Sequence, residues 1–151
     1  MPKFHIALTL LAAGLLAPLA ATAQTVAVDT AALPHRAAHG DGQISPLAIA
    51  PDGKPLTALL RIPDGKVLAP HGAGTTAILT VLSGTISWGD GDQIDPSKER
   101  TFGPGSVLRV QGNHWAAARN GEVLAQVVRL PEGSKLTPVS KGENKQAAQG
   151  N

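Results

Sequence analysis

The chain has 151 residues, with 13 Lys and Arg against 11 Asp and Glu, and it contains no Cys. Without Cys it can form no disulfide, no thiolate metal site and no thiol nucleophile. The net charge of only +2, with 2 Trp, 2 Phe and no Tyr, argues against a nucleic-acid partner, which needs clustered cations and stacking aromatics.

The first 23 residues, MPKFHIALTLLAAGLLAPLAATA, have the pattern of a secretory signal peptide. Lys3 precedes an apolar run, and Pro18 precedes the small residues Ala21-Thr22-Ala23, where a signal peptidase would cut. The run is shorter than the roughly 20 residues of a transmembrane helix. We therefore expect cleavage after Ala23, a periplasmic or secreted protein, and no stable membrane anchor after cleavage. An uncleaved N-terminal anchor is the alternative.

Residues 24–43 form a predicted N-terminal arm, in which Pro34 and the Gly40–Gly42 segment disfavour a long helix. His35 and His39 are four residues apart and on one helical turn could form half of a metal site. Their interpretation as solvated loop histidines is favoured.

From residue 44 to residue 132 the sequence has the residue pattern of β-strands. Short apolar or alternating runs recur between Gly, Pro, Asn and Asp turn signals, and no helical periodicity extends over more than two turns. HWAAAR has helical propensity, but its short length between two turns favours a strand. The nine runs predict a single all-β domain, a sandwich or a barrel. They are ISPLAIA, LTALLRI, KVLA, TAILTVLS, TISWG, RTFG, SVLRV, HWAAAR and VLAQVVRL.

Residues 133–151 form a polar tail rich in Lys, Gln and Gly. Such a composition buries too little apolar surface to offset chain ordering, so we expect disorder.

Several polar and aromatic side chains within the strands are candidates for an interior site. Gln126 is flanked by apolar residues, which favours a position facing the cavity. Arg61 and Arg109 could hold a carboxylate or phosphate from inside the barrel, but a solvated outer face is favoured for each. Core packing or a surface patch is favoured over a pocket role for Trp88 and Trp115.

The segment Gly65–Gly84, GKVLAPHGAGTTAILTVLSG, resembles the first motif of the cupin superfamily, G-x5-H-x-H-x(3,4)-E-x6-G. His71 stands at the first histidine position and Gly84 at the closing glycine. The later segment FGPGSVLRVQGNHWAAARNGE is similar to the second cupin motif, with His114 at its histidine position. The resemblance covers about residues 44–130 and implies a cupin-type double-stranded β-helix, a jelly-roll barrel.

The resemblance also implies a metal site of three histidines and a glutamate, of which this chain keeps His71 and His114. Ala73 and Ala77 stand at the other two positions and cannot coordinate an ion. Two imidazoles form a weak, incomplete site, so we expect no resident cofactor; a divalent Zn, Mn, Fe or Ni ion is the alternative. The motif also predicts that Leu79 and Val81 face the barrel interior, on the side of Ala77.

These features predict an exported cupin-domain protein with an eroded metal site that binds a small molecule. His71, His114 and Gln126 are the candidate ligand-binding residues, and the sequence identifies no catalytic residue. One alternative is an enzyme, either a metal-dependent oxygenase or isomerase with further ligands, or a metal-free acid–base catalyst using the two histidines. Another is a protein–protein interaction module. A homodimer is compatible with each of these functions.

Overall fold

The computed structural model describes residues 25–138. The chain divides into two compact units, Met1–Thr30 and Ala31–Asn151. In the first, the described residues 25–30 are exposed and contain no helix or strand. No helix in the described range is long and apolar enough to cross a membrane. The predicted signal peptide, residues 1–23, and residues 139–151 of the predicted tail lie outside the described residues.

The described residues of the second unit form strands joined by turns, with one short 3₁₀ turn. Ten strands are present, one more than the nine apolar runs of the sequence. They are β1 (Arg36–Ala38), β2 (Gly42–Ile49), β3 (Pro55–Ile62), β4 (Val67–Gly72), β5 (Ala77–Ser83), β6 (Ile86–Asp90), β7 (Arg100–Phe102), β8 (Val107–Val110), β9 (Asn113–Ala118) and β10 (Val123–Arg129).

The strands form two antiparallel sheets that pack face to face. The six-stranded sheet has the order β1-β2-β3-β10-β5-β8, and the four-stranded sheet has the order β4-β9-β6-β7. The chain passes repeatedly from one sheet to the other, so most neighbouring strands are distant in sequence. This connectivity is that of a jelly roll. The prediction of an all-β jelly-roll barrel is confirmed.

Alternation along β5 shows how the sequence builds the core. Leu79 and Val81 are buried in the central apolar cluster, whereas Leu82 is 44% exposed. Successive side chains of a strand point to opposite faces, so this is the arrangement expected of a strand with one face on the core. The predicted register of this strand is confirmed.

The turn after β1, residues 39–41, joins the six-stranded sheet to the four-stranded sheet, and we call this junction the seam. Gly40 forms a β-bridge with Leu68 of β4, and the carbonyl of His39 accepts a hydrogen bond from the Ala69 amide at 2.6 Å. A Cβ at Gly42 would lie 2.4 Å from Leu68 Cδ1, so the backbone comes as close as only glycine allows. The sheet thus begins at Arg36, not at residue 44. The end of the predicted arm is part of the barrel, because a tight hairpin with β2 orders a three-residue strand that has no pattern of its own.

Strand β9 contains the HWAAAR segment, which is a strand as predicted. Ala116, Ala117 and Ala118 are fully buried, so the small side chains are needed on both faces of this central strand. Trp115 packs directly over Gly89 of β6.

The described part of the predicted tail, residues 133–138, has no regular secondary structure. It is nevertheless in contact with the sheet, because the Arg109 guanidinium on β8 donates a hydrogen bond to the Thr137 carbonyl.

Candidate functional site

Two of the predicted site residues meet on neighbouring strands of the four-stranded sheet. His71 near the end of β4 and His114 near the start of β9 are direct cross-strand partners. Their ring centroids are 4.3 Å apart and the rings are inclined by 61°. His114 is buried and His71 is half-buried. Residues 43 positions apart in sequence therefore form one imidazole pair.

His39 joins this pair from the seam between the sheets. Its ring stacks on His71 with centroids 3.8 Å apart and planes within 4° of parallel. Its backbone has φ of 45°, in the left-handed region, which turns the chain from β1 toward β4. His39 is an exposed residue of the turn after β1, as the solvated-loop interpretation expects, and it also borders the cavity. No local signal identified its contact with His71, because that partner is brought to it by the crossing of the chain between the sheets.

Trp88 completes a row of four rings. It stacks on His114 with centroids 4.5 Å apart and planes 9° from parallel, and its indole Nε1–H donates to Asp90 at 3.1 Å. Trp88 belongs to the core cluster, so the expectation of core packing is confirmed, and it also borders the cavity. Trp115 points to the opposite face and is buried, as expected for a core residue.

Backbone carbonyls orient the two paired imidazoles. His71 Nδ1 lies 2.7 Å from the Ala69 carbonyl, and His114 Nδ1 lies 3.2 Å from the Gly112 carbonyl. A carbonyl oxygen can only accept, so each Nδ1 carries a hydrogen. In the neutral rings Nε2 is therefore the proton acceptor, the atom available to a ligand or a proton.

The pKa values of two of the imidazoles are lowered, which favours their neutral form. Desolvation lowers the pKa of His114 below its ordinary value, and His71 and His39 add charge repulsion; the Gly112 hydrogen bond and Asp90 act in the opposite direction. The pKa of His39 is lowered as well, by burial and by His71. At neutral pH His39 and His114 are therefore bases rather than cations.

The row of rings borders a cavity of about 540 Å³ between the two sheets. Its apolar wall comes from inward-facing residues of both sheets, among them Leu60, Leu68, Leu79, Val110 and Val127. Ala73 and Ala77 also line it, and their small side chains leave open the space that larger residues would fill.

The remaining sequence candidates lie elsewhere. Gln126 does not line the cavity: Ala125 and Val127 face inward, so Gln126 faces outward, where its amide approaches the Thr57 hydroxyl at 3.4 Å. Its assignment to the cavity is corrected. The reason for the error is that Leu124 and Val128 make β10 apolar on both faces. Arg61 pairs with Glu122 and Arg109 with Thr137, both away from this cavity, and His35 is exposed.

Three cavity-lining cations were not among the candidates, namely Arg36, Lys54 and Arg129. Arg129 shares the inward face of β10 with Ala125 and Val127, but both faces of this strand are apolar, so alternation alone could not place it. Arg36 and Lys54 lie in a three-residue strand and in a turn, which are too short to show alternation.

Solved structures provide the comparison. A Cupin 2 conserved barrel domain protein from Salinispora arenicola superposes with a TM-score of 0.55 at 14% identity, covering 74% of this chain and 92% of that chain. The polyketide cyclase RemF from Streptomyces resistomycificus gives a TM-score of 0.53 at 14% identity, over 70% of this chain and 79% of the other. The chain has the cupin fold.

A third cupin-fold match is a Thermotoga maritima protein described as a predicted oxalate decarboxylase. Its TM-score is 0.51 at 16% identity, and the match covers 70% of this chain and all of the other. No family model matches the sequence, and a search of curated proteins finds no match either. At these identities the likeness concerns the fold, and the chemistry has to be argued from the site itself.

The residues at the cupin metal position do not fit a metal ion. Ala73 and Ala77 offer no donor, and the third imidazole, His39, lies parallel to His71 in a separate plane. Ring nitrogens coordinate in the plane of the ring, so two stacked rings cannot aim their lone pairs at one ion. Within the described range no group of three or more His, Cys, Asp or Glu side chains could hold a metal.

Proposed function

We propose that this cupin-fold protein is an exported binding protein that holds a small molecule inside its barrel. The observation that carries the proposal is the cavity of about 540 Å³ beside the histidine row. Small-molecule sites commonly enclose about 300–1,000 Å³, with mainly apolar walls and a few polar groups that set orientation. The alanines at positions 73 and 77 support binding, because they keep the interior open where the cupin motif places ligands for a metal.

The test is a small-molecule screen by thermal shift, followed by fluorescence titration. Trp88 borders the cavity, so ligand entry should change its emission. Ala73→Phe should fill the cavity near its histidines and abolish the response. Leu82→Phe is the matched control, because it adds the same ring at an exposed position of the six-stranded sheet. Equal binding by both variants would place the ligand outside the cavity.

Export is the second part of the proposal. It is supported by the basic residue, apolar run and small-residue ending of residues 1–23. N-terminal sequencing of protein recovered from the periplasm or the medium should begin at Gln24. A mature protein that begins at Met1 would contradict export through this signal.

A metal-free acid–base enzyme is the second candidate function. The observation in its favour is that the neutral His114 and the oriented His71 keep proton-accepting Nε2 atoms beside the cavity. His71→Asn and His114→Asn should then abolish turnover of an identified ligand while leaving its binding measurable. A ligand recovered unchanged after long incubation favours the binding protein. A homodimer stays a prediction in either case, to be measured by light scattering.

A further inference from the structure

The charged side chains around the cavity are all of one sign. Arg36, Lys54 and Arg129 contribute to its lining, together with His39, His71 and His114. Among the described residues that line it there is no Asp or Glu. The cations come from β1, the start of β3 and the end of β10, whereas the imidazoles lie on the four-stranded sheet and at the seam.

Arg129 is held in place by hydrogen bonds from its guanidinium. Its side chain is only 22% exposed, and its Nε–H donates to the Pro55 carbonyl at 3.1 Å. One Nη2–H donates to Asp52 at 2.9 Å. A guanidinium has five N–H donors, so both hydrogens of Nη1 and one of Nη2 are left for a ligand.

Asp52 offsets part of this charge but does not reverse it. Its backbone hydrogen bond from Lys54 and its contact with Arg129 lower the pKa of the carboxyl, so it is ionised at neutral pH. Neither Asp52 nor Asp90, which accepts the Trp88 hydrogen bond and pairs with Arg100, belongs to the cavity lining. The described lining carries three cations and no carboxylate, so it favours an anion over a cation.

Arg129 lies at the end of β10, between β3 and β5. Its backbone pairs with that of Ala77 on β5, which occupies the glutamate position of the cupin motif. Its guanidinium turns to the other side, where the Pro55 carbonyl and the Asp52 carboxylate hold it beside β3. The position of the motif's carboxylate therefore carries no charge in this chain.

We infer that the ligand is a small amphipathic carboxylate. Its apolar body would lie between the sheets and its charged end at the cationic rim, the part of the lining formed by Arg36, Lys54 and Arg129. The inference rests on the proposed binding function and deepens it. A guanidinium binds a carboxylate through paired hydrogen bonds, and leucine, valine and alanine walls suit a hydrocarbon or aromatic body. A cationic ligand would be repelled, and a neutral acceptor such as an amide would form weaker hydrogen bonds with the guanidinium than a carboxylate does.

The test compares ligands that share a skeleton and differ in charge. Benzoate, 4-phenylbutanoate and octanoate are each titrated calorimetrically, at low ionic strength, beside the corresponding amide and amine. At least one carboxylate should bind the wild type at least about tenfold more tightly than its amide, the range expected of a hydrogen-bonded charge. The amine should bind still more weakly.

Variants test whether the rim cations cause the preference for a carboxylate. Arg129→Gln should weaken carboxylate binding about tenfold and leave amide binding unchanged. Arg61→Gln is the matched control, since it removes a half-buried, ion-paired arginine from outside the cavity. Lys54→Gln, at an exposed rim position, should weaken carboxylate binding as well and keeps the test valid if Arg129→Gln melts early.

The outcomes separate this inference from the proposed function. If an amide or amine binds as tightly as its carboxylate, the anionic ligand class is overturned while the binding cavity stands. If no member of the three sets binds, the anion inference is overturned, and the cavity-blocking variants decide the binding function. Equal losses in Arg129→Gln and Arg61→Gln would overturn the role of the rim.

Discussion

At the scale of single residues, the pKa of His114 links the pH to the stability of the fold. It is buried between Trp88 and His71, and desolvation lowers its pKa. The folded state therefore binds fewer protons than the unfolded state at mildly acidic pH. This contribution to stability is complete above the ordinary histidine pKa of about 6.5, and it is lost as the pH falls from there through the lower folded pKa.

The first prediction follows from that sign. The free energy of unfolding, measured by denaturant titration, should be lower at pH 5 than at pH 8. His114→Asn should reduce the difference between the two pH values, because the group that resists protonation is gone. His35→Asn removes an exposed histidine and is the control for loss of one imidazole. An unchanged pH dependence in His114→Asn would contradict the assignment.

The second prediction concerns the close approach of Gly89 to Trp115. A Cβ on Gly89 would lie 2.2 Å from Cε2 of the buried indole, a distance that no packing tolerates. Gly89→Ala should therefore destabilise the protein by about 1–3 kcal/mol, the usual cost of overpacking. At Gly103 a Cβ would meet no atom within 4 Å, so Gly103→Ala is the control in thermal or denaturant unfolding. Equal stability of the two variants would show that β6 can move away from β9.

The third prediction concerns metal affinity. Protein purified without an affinity tag should contain well under one equivalent of Zn, Mn, Fe or Ni by elemental analysis, because positions 73 and 77 lack donors. The double variant Ala73→His/Ala77→Glu should bind such an ion tightly, since it completes four ligands on strands already in position.

Thermal melts of the double variant test the same point. A new carboxylate inside the apo barrel is destabilising, because it is buried without a metal to compensate its charge. Added metal should therefore raise the melting temperature of the double variant, with each single variant as a control. Stoichiometric metal in the wild type that disappears in His71→Ala would contradict the eroded site and favour an enzyme.

At the scale of an element, β5 links the sequence pattern to the core. Leu79 is 3% exposed and lies in the central cluster, whereas Leu82 on the same strand is 44% exposed. Leu79→Ala should cost about 2–5 kcal/mol of unfolding free energy, from lost burial and the cavity that remains. Leu82→Ala is the matched control and should cost well under that. Similar losses at both positions would contradict the register.

At the scale of the whole molecule, the barrel should be complete by residue 138. The Arg109 to Thr137 hydrogen bond is the last contact of the described chain with the sheet. Removal of residues 139–151, whose polar composition buries little, should leave the melting temperature within a few degrees of the full-length value. Removal of residues 131–151 also deletes the Thr137 contact and should lower it further. A large loss from the shorter truncation would show that residues 139–151 stabilise the barrel.

The sequence by itself determined the all-β class and the strand in HWAAAR. These features depend on local rules, because turn residues end strands and strands are short runs of alternating or apolar residues. Alternation divided the side chains of β5 into two sets, and the resemblance to the cupin motif indicated which set is inside. The resemblance to the two cupin motifs implied that His71 and His114 share one site, and the structure makes them direct cross-strand partners.

Only the tertiary structure decided which other residues reach the cavity. Gln126 and Arg129 lie on the same strand, β10, but alternation alone does not say which face meets the other sheet when both faces are apolar. His39 reaches His71 because the chain crosses between the sheets at Gly40, a contact that no local pattern encodes. A period of two orders side chains relative to one another, but the packing of the two sheets decides which set is inside and which charges meet a ligand.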